Sequence, residues 1–427
     1  MLTKKFNKTV IFPILLAVII IIAIVLLNIT GNFSVVNAQE LSKGVKSNNS
    51  AVEKLPDNFR AAEMDLSISL FKNSISQNKN SLISPLSVTL AMGMTANGAA
   101  ATTLDQFKKL LGQDRFTIDE INKFNYSLSS LFQSDKHNKV RLANSIWYRN
   151  EKTLTVNPVF LQKNADFYKA NIFKSDFTSK NTIKDINNWV KNNTDGMIDN
   201  IVDTIYPNTI MYLFNTVLFE AEWRNIYKSN EVYEEIFSRS ENDSIGVSFM
   251  HSMEKFIQNK NAEGFIKPYK GDKYSFVGIL PKENISLKDF ITTLNGNNFK
   301  ELVTSYGDEY AQVGIPKFKY AYSKSLVEPL KSLGFTDGFS PSEANFSTMA
   351  SVPDGNIYIS EVLHKTYIQV DEKGTKAGAA TKVEMLTGSA MQQPKKVTFD
   401  RPFVFAIIEN ETQLPLFIGT VVDPKAE

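Results

Sequence analysis

Between Asp371 and Pro394 the chain has the composition of a loop and the alternation of a strand, and few folds can use both. The stretch is rich in Gly, Ala, Ser, Thr and Lys, and it separates an apolar run ending at Val370 from another starting near Val397. Read at period two, Thr375, Ala377, Ala379, Thr381, Val383 and Met385 share one side, while Lys376, Gly378, Ala380, Lys382 and Glu384 share the other. Several residues of the first set are very small, so that side fits between packed strands without overfilling the layer beneath. A flexible or helical Ala-rich connector accounts for the same residues, because periodic signals this short are weak. Taken alone, the segment favours the connector.

Other segments bound what surrounds it. Lys4, Lys5 and Lys8 precede an apolar run from Val10 to Leu27, followed by polar residues and the small-residue site Val36-Asn37-Ala38. That is the plan of a signal peptide. The run also approaches the roughly 20 residues that span a bilayer, so a retained anchor with its positive residues inside is the alternative. Residues 1–38 are therefore expected to export the remainder, as a signal peptide or an N-terminal membrane anchor. Residues 39–55, rich in Ser, Asn and Lys, read as a tether, and residues 56–427 as one domain without repeats or a second linker. The chain has no cysteine, so disulfides and thiolate chemistry are excluded and packing alone must hold the fold.

Within the domain, apolar residues recur at helical spacing from Asn58 to Phe71, and Pro85 to Leu111 reads as helices broken near Asn97-Gly98. Strand-like runs follow at Val140–Trp147, Thr209–Phe219, Ser275–Leu280, Ile357–Val370, Phe403–Ile408 and Leu416–Val421. Helices and strands mix without regular alternation, which predicts α+β rather than a doubly wound sheet.

Signals of catalysis are missing. His137, His251 and His364 are the only histidines, and none has a two-ligand zinc spacing. Neither a Gly-x-Ser-x-Gly elbow nor a phosphate-binding glycine loop occurs. With a formal charge of +2 and no basic stretch interleaved with aromatics, nucleic-acid binding is not expected.

Glu372-Lys373-Gly374-Thr375-Lys376-Ala377-Gly378-Ala379-Ala380 resembles the hinge of the serpins, where Glu-x-Gly-Thr opens a run of small residues. Asn80 to Ser87, Ile186-Asn187-Asn188-Trp189-Val190 with Gly196-Met197-Ile198, and Asn215 to Phe219 with Trp223 resemble further serpin motifs, in the family's order and spacing. Tyr269 to Asp272, Ile279-Leu280-Pro281, Pro316-Lys317-Phe318, Phe399 to Phe403 and Leu416 to Gly419 extend the match across nearly the whole chain after the tether. The chain is similar to inhibitory, prokaryotic serpins. That resemblance implies three β-sheets, eight to nine α-helices and an exposed reactive-centre loop.

It also implies a function. A serine protease would cut the loop, be trapped as an acyl-enzyme, and be carried off as the hinge inserts into the large sheet; serpin loop insertion is itself a type case of strand addition. The hinge residues would be Glu372, Gly374, Thr375, Ala377, Ala379, Ala380 and Thr381, with Lys376 and Gly378 departing from the commoner Glu and Ala. Counting from Gly374 places the reactive bond at Gly388-Ser389, with Met385, Leu386, Ala390 and Met391 as alternatives. These residues are small or apolar, which points to subtilisin-, elastase- or chymotrypsin-like targets. Ser84, Ser87, Asn215 and His364 match the shutter, a buried hydrogen-bonded cluster that holds the sheet closed, and Trp223 the breach where the hinge enters. The resemblance further implies a monomer without a cofactor, with serine proteases as covalent partners and membrane contact only through the N-terminal segment. A non-inhibitory serpin acting as a binding or chaperone module is the alternative.

Overall fold

The computed structural model describes residues 37–48, 51–76, 78–151, 154–207, 209–351, 356–375 and 395–426. Among them, nine α-helices and three β-sheets form an α+β fold, as expected. The first helix, Asp57–Ser74, buries Phe59, Ala62, Leu66, Leu70 and other apolar residues at helical spacing. Pro85–Ala96 opens on a proline, whose missing N–H is one of the unpaired donors of a helix start anyway, and it is buried almost all round. Asn97-Gly98 ends that helix, and Ala101–Gly112 follows.

The sheet that matters for function has seven strands. Their order is Gln39–Glu40, Asn171–Ser175, Asn138–Arg149, Met211–Glu222, Gly374–Thr375, Leu363–Val370 and Phe318–Ser325. Asn138–Arg149 pairs antiparallel with Met211–Glu222 from Asn138 opposite Ala221 to Tyr148 opposite Met211. One face carries Trp147, Phe173, Tyr212 and Phe214, which pack under Ile186, Trp189 and Val190 of the helix Lys180–Asn193. On the other face Val140, Phe219, Ala221, Ile368 and Val370 join the main core. The strand Met211–Glu222 is thus covered on both sides, as its mixture of alternating and continuous burial records.

A nine-stranded sheet backs this layer. It runs Lys395–Thr398, Tyr310–Pro316, Asp243–Gln258, Ala262–Pro268, Tyr274–Pro281, Phe403–Glu409, Pro415–Val421 and Ser81–Ile83, with Val232–Ser240 pairing to Asp243–Gln258. Its Tyr274–Pro281 strand is buried at every position, which explains an apolar run without alternation. The third sheet is only the pair Ala350–Ser351 and Thr155–Val156.

Two expectations change. The strand read as Ile357–Val370 begins at Leu363. Before it, the chain spends its backbone bonds elsewhere: the Ile359 N–H donates to the Gly338 carbonyl (2.8 Å), and the Val362 carbonyl accepts from the Leu326 N–H (2.9 Å). The second change concerns residues 39–55, expected as a tether. Gln39–Glu40 pairs with Asn171–Ser175, the Leu41 N–H donates to the Ile172 carbonyl (2.6 Å), and the Asn37 N–H to Asp185 Oδ1 (3.1 Å). A sheet edge offers free backbone groups to any extended segment, so a polar composition did not keep this one off the body. Among the described residues, no helix is long and apolar enough to cross a membrane. The run Val10–Leu27 lies outside them.

Candidate functional site

The chain leaves Leu363–Val370 through a tight turn. Asp371 Oδ1 accepts from the Lys373 N–H (2.9 Å), and the Asp371 N–H donates to the Gly374 carbonyl (3.0 Å). Gly374 and Thr375 then enter the large sheet between two strands. Gly374 stands opposite Glu222, and Thr375 stands opposite Ala221 on one side and Val370 on the other. A Cβ at Gly374 would lie 2.0 Å from the Ala221 carbonyl oxygen, so only glycine permits this approach. Thr375 is 3% exposed, and its hydroxyl lies 2.6 Å from that of Tyr269.

Backbone and side-chain groups from distant segments fasten this root. The Trp223 N–H donates to the Lys373 carbonyl, the Trp223 Nε1–H to the Asp371 carbonyl and the Tyr227 N–H to the Glu372 carbonyl, each at 2.9 Å. Trp223 is buried and stacks on Tyr269 with ring centres 4.6 Å apart, so here its ring is a packing wall whose side-chain donor is in use. Lys317 Nζ reaches Glu372 Oε2 at 2.6 Å and holds that carboxyl below its usual range. The pair is about a third exposed, which limits its worth to roughly 0–1 kcal/mol. Lys270 pairs with Glu222 (3.2 Å), and behind Trp223 the buried Lys267 pairs with Glu254 (2.5 Å) while standing 4.3 Å from the Tyr227 ring centre.

A second cluster lies further along the same strands. The Ser84 N–H donates to Nε2 of the buried His364 (3.1 Å), and Ser87 is also buried. Burial pushes the His364 imidazole down to about 4, so it is a neutral acceptor. Thr366 Oγ1 donates to the Leu82 carbonyl (2.9 Å), and the Tyr320 hydroxyl to the Ser81 and Thr420 carbonyls (3.0 and 3.1 Å). Asn215 takes a different partner from the one its grouping with His364 suggested. Its Nδ2 donates to Asn144 Oδ1, and Asn144 Nδ2 donates to the Tyr168 carbonyl (2.8 Å).

Of the residues singled out in the sequence, Glu372, Gly374, Thr375 and Trp223 come together at the root, and Ser84 and His364 in the second cluster. Ala377, Ala379, Ala380, Thr381, the bond Gly388-Ser389 and the alternatives Met385, Leu386, Ala390 and Met391 lie outside the described residues. Tyr227, Asn144, Tyr168 and Thr366 carry no local signal that assigns them here. Lys317 and Tyr269 stand in motifs already noted, and their roles emerge only from the contacts. Among the described residues, no cluster of His, Cys, Asp and Glu could hold a metal ion.

The family model described as Serpin (serine protease inhibitor) matches residues 61–424. Antithrombin-III of Homo sapiens is 29% identical over 396 residues, 87% of this chain and 84% of that protein. A serpin-like protein of Methanosarcina acetivorans is 30% identical over 369 residues, 84% of each. The thermophilic serpin tengpin in its native state superposes with a TM-score of 0.86 at 46% identity, covering 91% of this chain and 100% of that one. Tengpin in its latent state gives 0.78 at 46% identity, covering 88% and 100%. A family model matched over nearly the whole domain, and a loop root seated between two strands of a doubly covered sheet, lead to one conclusion: the chain belongs to the serpin family.

Proposed function

We propose that this serpin inhibits serine proteases by suicide cleavage: the protease cuts the loop after Thr375, remains bound as an acyl-enzyme, and is trapped as the hinge completes its insertion. The observation that carries this reading is the register already begun at Gly374 and Thr375. Continued one residue at a time, it sets Ala377 opposite Phe219, Ala379 opposite Val217, Thr381 opposite Asn215, Val383 opposite Leu213 and Met385 opposite Met211. Thr375 faces the main core with Ala221, so this whole set turns to the same face. The intervening Gly378 and Ala380 fall opposite Leu218 and Thr216, where small side chains suit a covered face. Strand Met211–Glu222 has twelve residues and ends where Met385 would arrive.

Cross-strand pairs are each worth roughly 0.2–1 kcal/mol, and the five inward positions still to enter after Thr375, each between two strands, add up to several kcal/mol. The intact form is therefore metastable towards insertion. The proposed bond is Gly388-Ser389, and its small, apolar surroundings suit subtilisin-, elastase- or chymotrypsin-like enzymes rather than one that requires Arg or Lys. Export by the N-terminal segment would place the inhibitor, as a monomer, where such proteases act.

The test is to incubate the protein with subtilisin and with an elastase-like protease and run a denaturing gel. A band at the sum of the two masses that survives boiling supports inhibition, and mass spectrometry of the released fragment reads the bond. Ala379→Arg should convert inhibitor to substrate, because a long cation at an inward position stops insertion. Cleavage by every protease without adduct or gain in thermal stability would instead support a non-inhibitory binding module.

A further inference from the structure

Val232–Ser240 forms a hairpin with Asp243–Gln258 and, among the described residues, pairs with no other strand. We propose that its free edge docks an extended, basic segment of a partner protein, which adds to the sheet as a further strand. The direction of the free groups follows from one bond. The Ser238 N–H donates outward, to the Asp400 carbonyl at 2.7 Å, and not across the hairpin to Ser244 opposite it. Bonding direction alternates along an antiparallel strand, and the register from Tyr233 opposite Phe249 to Ser238 opposite Ser244 is unbroken. The N–H and carbonyl of Glu234 and of Ile236 therefore also point outward. Among the described residues, the backbone of neither bonds to anything beyond the hairpin. Asp400 thus closes one end of the edge and leaves the stretch before it open.

Side chains decide what kind of segment fits. Ile236 is 61% exposed and Tyr233 47%, and the two stand on opposite faces of the strand, Tyr233 beside Glu235 and Ile236 beside Glu234. From Glu231 to Asp243 the acids Glu231, Glu234, Glu235, Glu241 and Asp243 stand against a single cation, Arg239, which Asp243 and Asp423 already hold at 2.7 Å. The His251 ring, 3.6 Å from Glu235, is held below its ordinary range by burial and leaves that charge uncancelled. One sign of charge along an open edge repels a second copy of the same edge. A segment with Lys or Arg opposite Glu234 and Glu235, and apolar residues opposite Tyr233 and Ile236, gains a cross-strand pair at every position.

The proposal is independent of protease inhibition and is tested on the purified protein by fluorescence anisotropy. The labelled peptide acetyl-Thr-Val-Lys-Lys-Val-Thr-amide should saturate one site, and its counterpart with Glu for both Lys should bind at least tenfold more weakly. N-methylation of one alternate set of its amides should also weaken it at least tenfold, and methylation of the other set should not, because only one set faces the edge. Ile236→Pro removes an outward donor and no hairpin bond, at the kind of position where an edge strand tolerates proline, so it should fold and still bind at least tenfold more weakly. Glu234→Lys, which keeps the backbone, serves if that variant does not fold. Absence of saturation, equal affinity for the lysine and glutamate peptides, equal effects of the two methylated sets, or unchanged affinity in a folded variant would overturn the proposal. So would a dimer in sedimentation that Ile236→Pro dissociates, because the edge would then belong to a second copy of this chain.

Discussion

The hydroxyls of Tyr269 and Thr375 lie 2.6 Å apart, both buried, and join the first inward residue of the hinge to the sheet behind it. Either partner without the other leaves a buried polar group unsatisfied, at a cost of about 1–3 kcal/mol. Tyr269→Phe and Thr375→Val should each lower the denaturant unfolding free energy by that order. The double variant should lose less than the sum, because two apolar groups then face each other. Strict additivity in the double-mutant cycle would show that the two hydroxyls do not act as a pair.

His364 should make stability depend on acid. Burial lowers its imidazole to about 4, against an ordinary 6.5, and the neutral ring accepts from the Ser84 N–H. The folded state therefore binds this proton less readily than the unfolded chain. Its contribution is fully present above pH 6.5 and is lost as the pH falls from 6.5 towards 4, at up to about 1.4 kcal/mol per pH unit. Unfolding free energies of the wild type and His364→Gln, compared between pH 4 and pH 7, should converge as the pH falls. A difference that stays constant with pH would sink the assignment.

Glu63 should act with the opposite sign. It is buried in the first helix, accepts a 2.8 Å bond from Thr89 Oγ1, and burial pushes its carboxyl up to about 8. The folded state holds the proton more tightly than the unfolded chain, whose value is 4.5. This contribution is complete below pH 4.5 and fades as the pH rises from 4.5 to about 8. Glu63→Gln, which cannot ionise, should match the wild type near pH 4.5 and exceed it by several kcal/mol, on the order of 4, at pH 8. Urea unfolding at the two values decides.

The root of the loop is legible in sequence where one residue type alone meets a local demand. Gly374 is such a position, because a Cβ there would strike the Ala221 carbonyl. Thr375 is another, because period-two reading turns it inward and it is buried. The partners of Asn215 are not legible. Asn144 is 71 residues away, and an asparagine pair carries no periodicity. The strands Val232–Ser240 and Asp243–Gln258 escape for a related reason. Their exposed Tyr233, Ile236 and Met253 interrupt the usual alternation of buried apolar and exposed polar residues. Ile357 to Val362 misleads in the other direction, being apolar yet hydrogen-bonded to loop and helix-start backbone instead of a neighbouring strand.

The N-terminal edge strand offers the last prediction. Gln39–Glu40 pairs with Asn171–Ser175, and the Leu41 N–H extends that pairing with a 2.6 Å bond to the Ile172 carbonyl. Around it, Ser42 Oγ accepts from the Ile172 N–H (3.0 Å) and Glu40 Oε1 from Asn171 Nδ2 (2.8 Å), so one lost donor should loosen its neighbours too. Leu41→Pro removes that donor and leaves Asn171–Ser175 as the exposed edge. The segment before Ser47 should then be cut by limiting protease at least tenfold faster. The unfolding midpoint of the whole domain should move little, because Leu41 contributes only partly buried surface to the core. Mass spectrometry of early fragments reads the first effect and a thermal melt the second. Equal cleavage rates for the two proteins would mean that the strand is not held by its ladder.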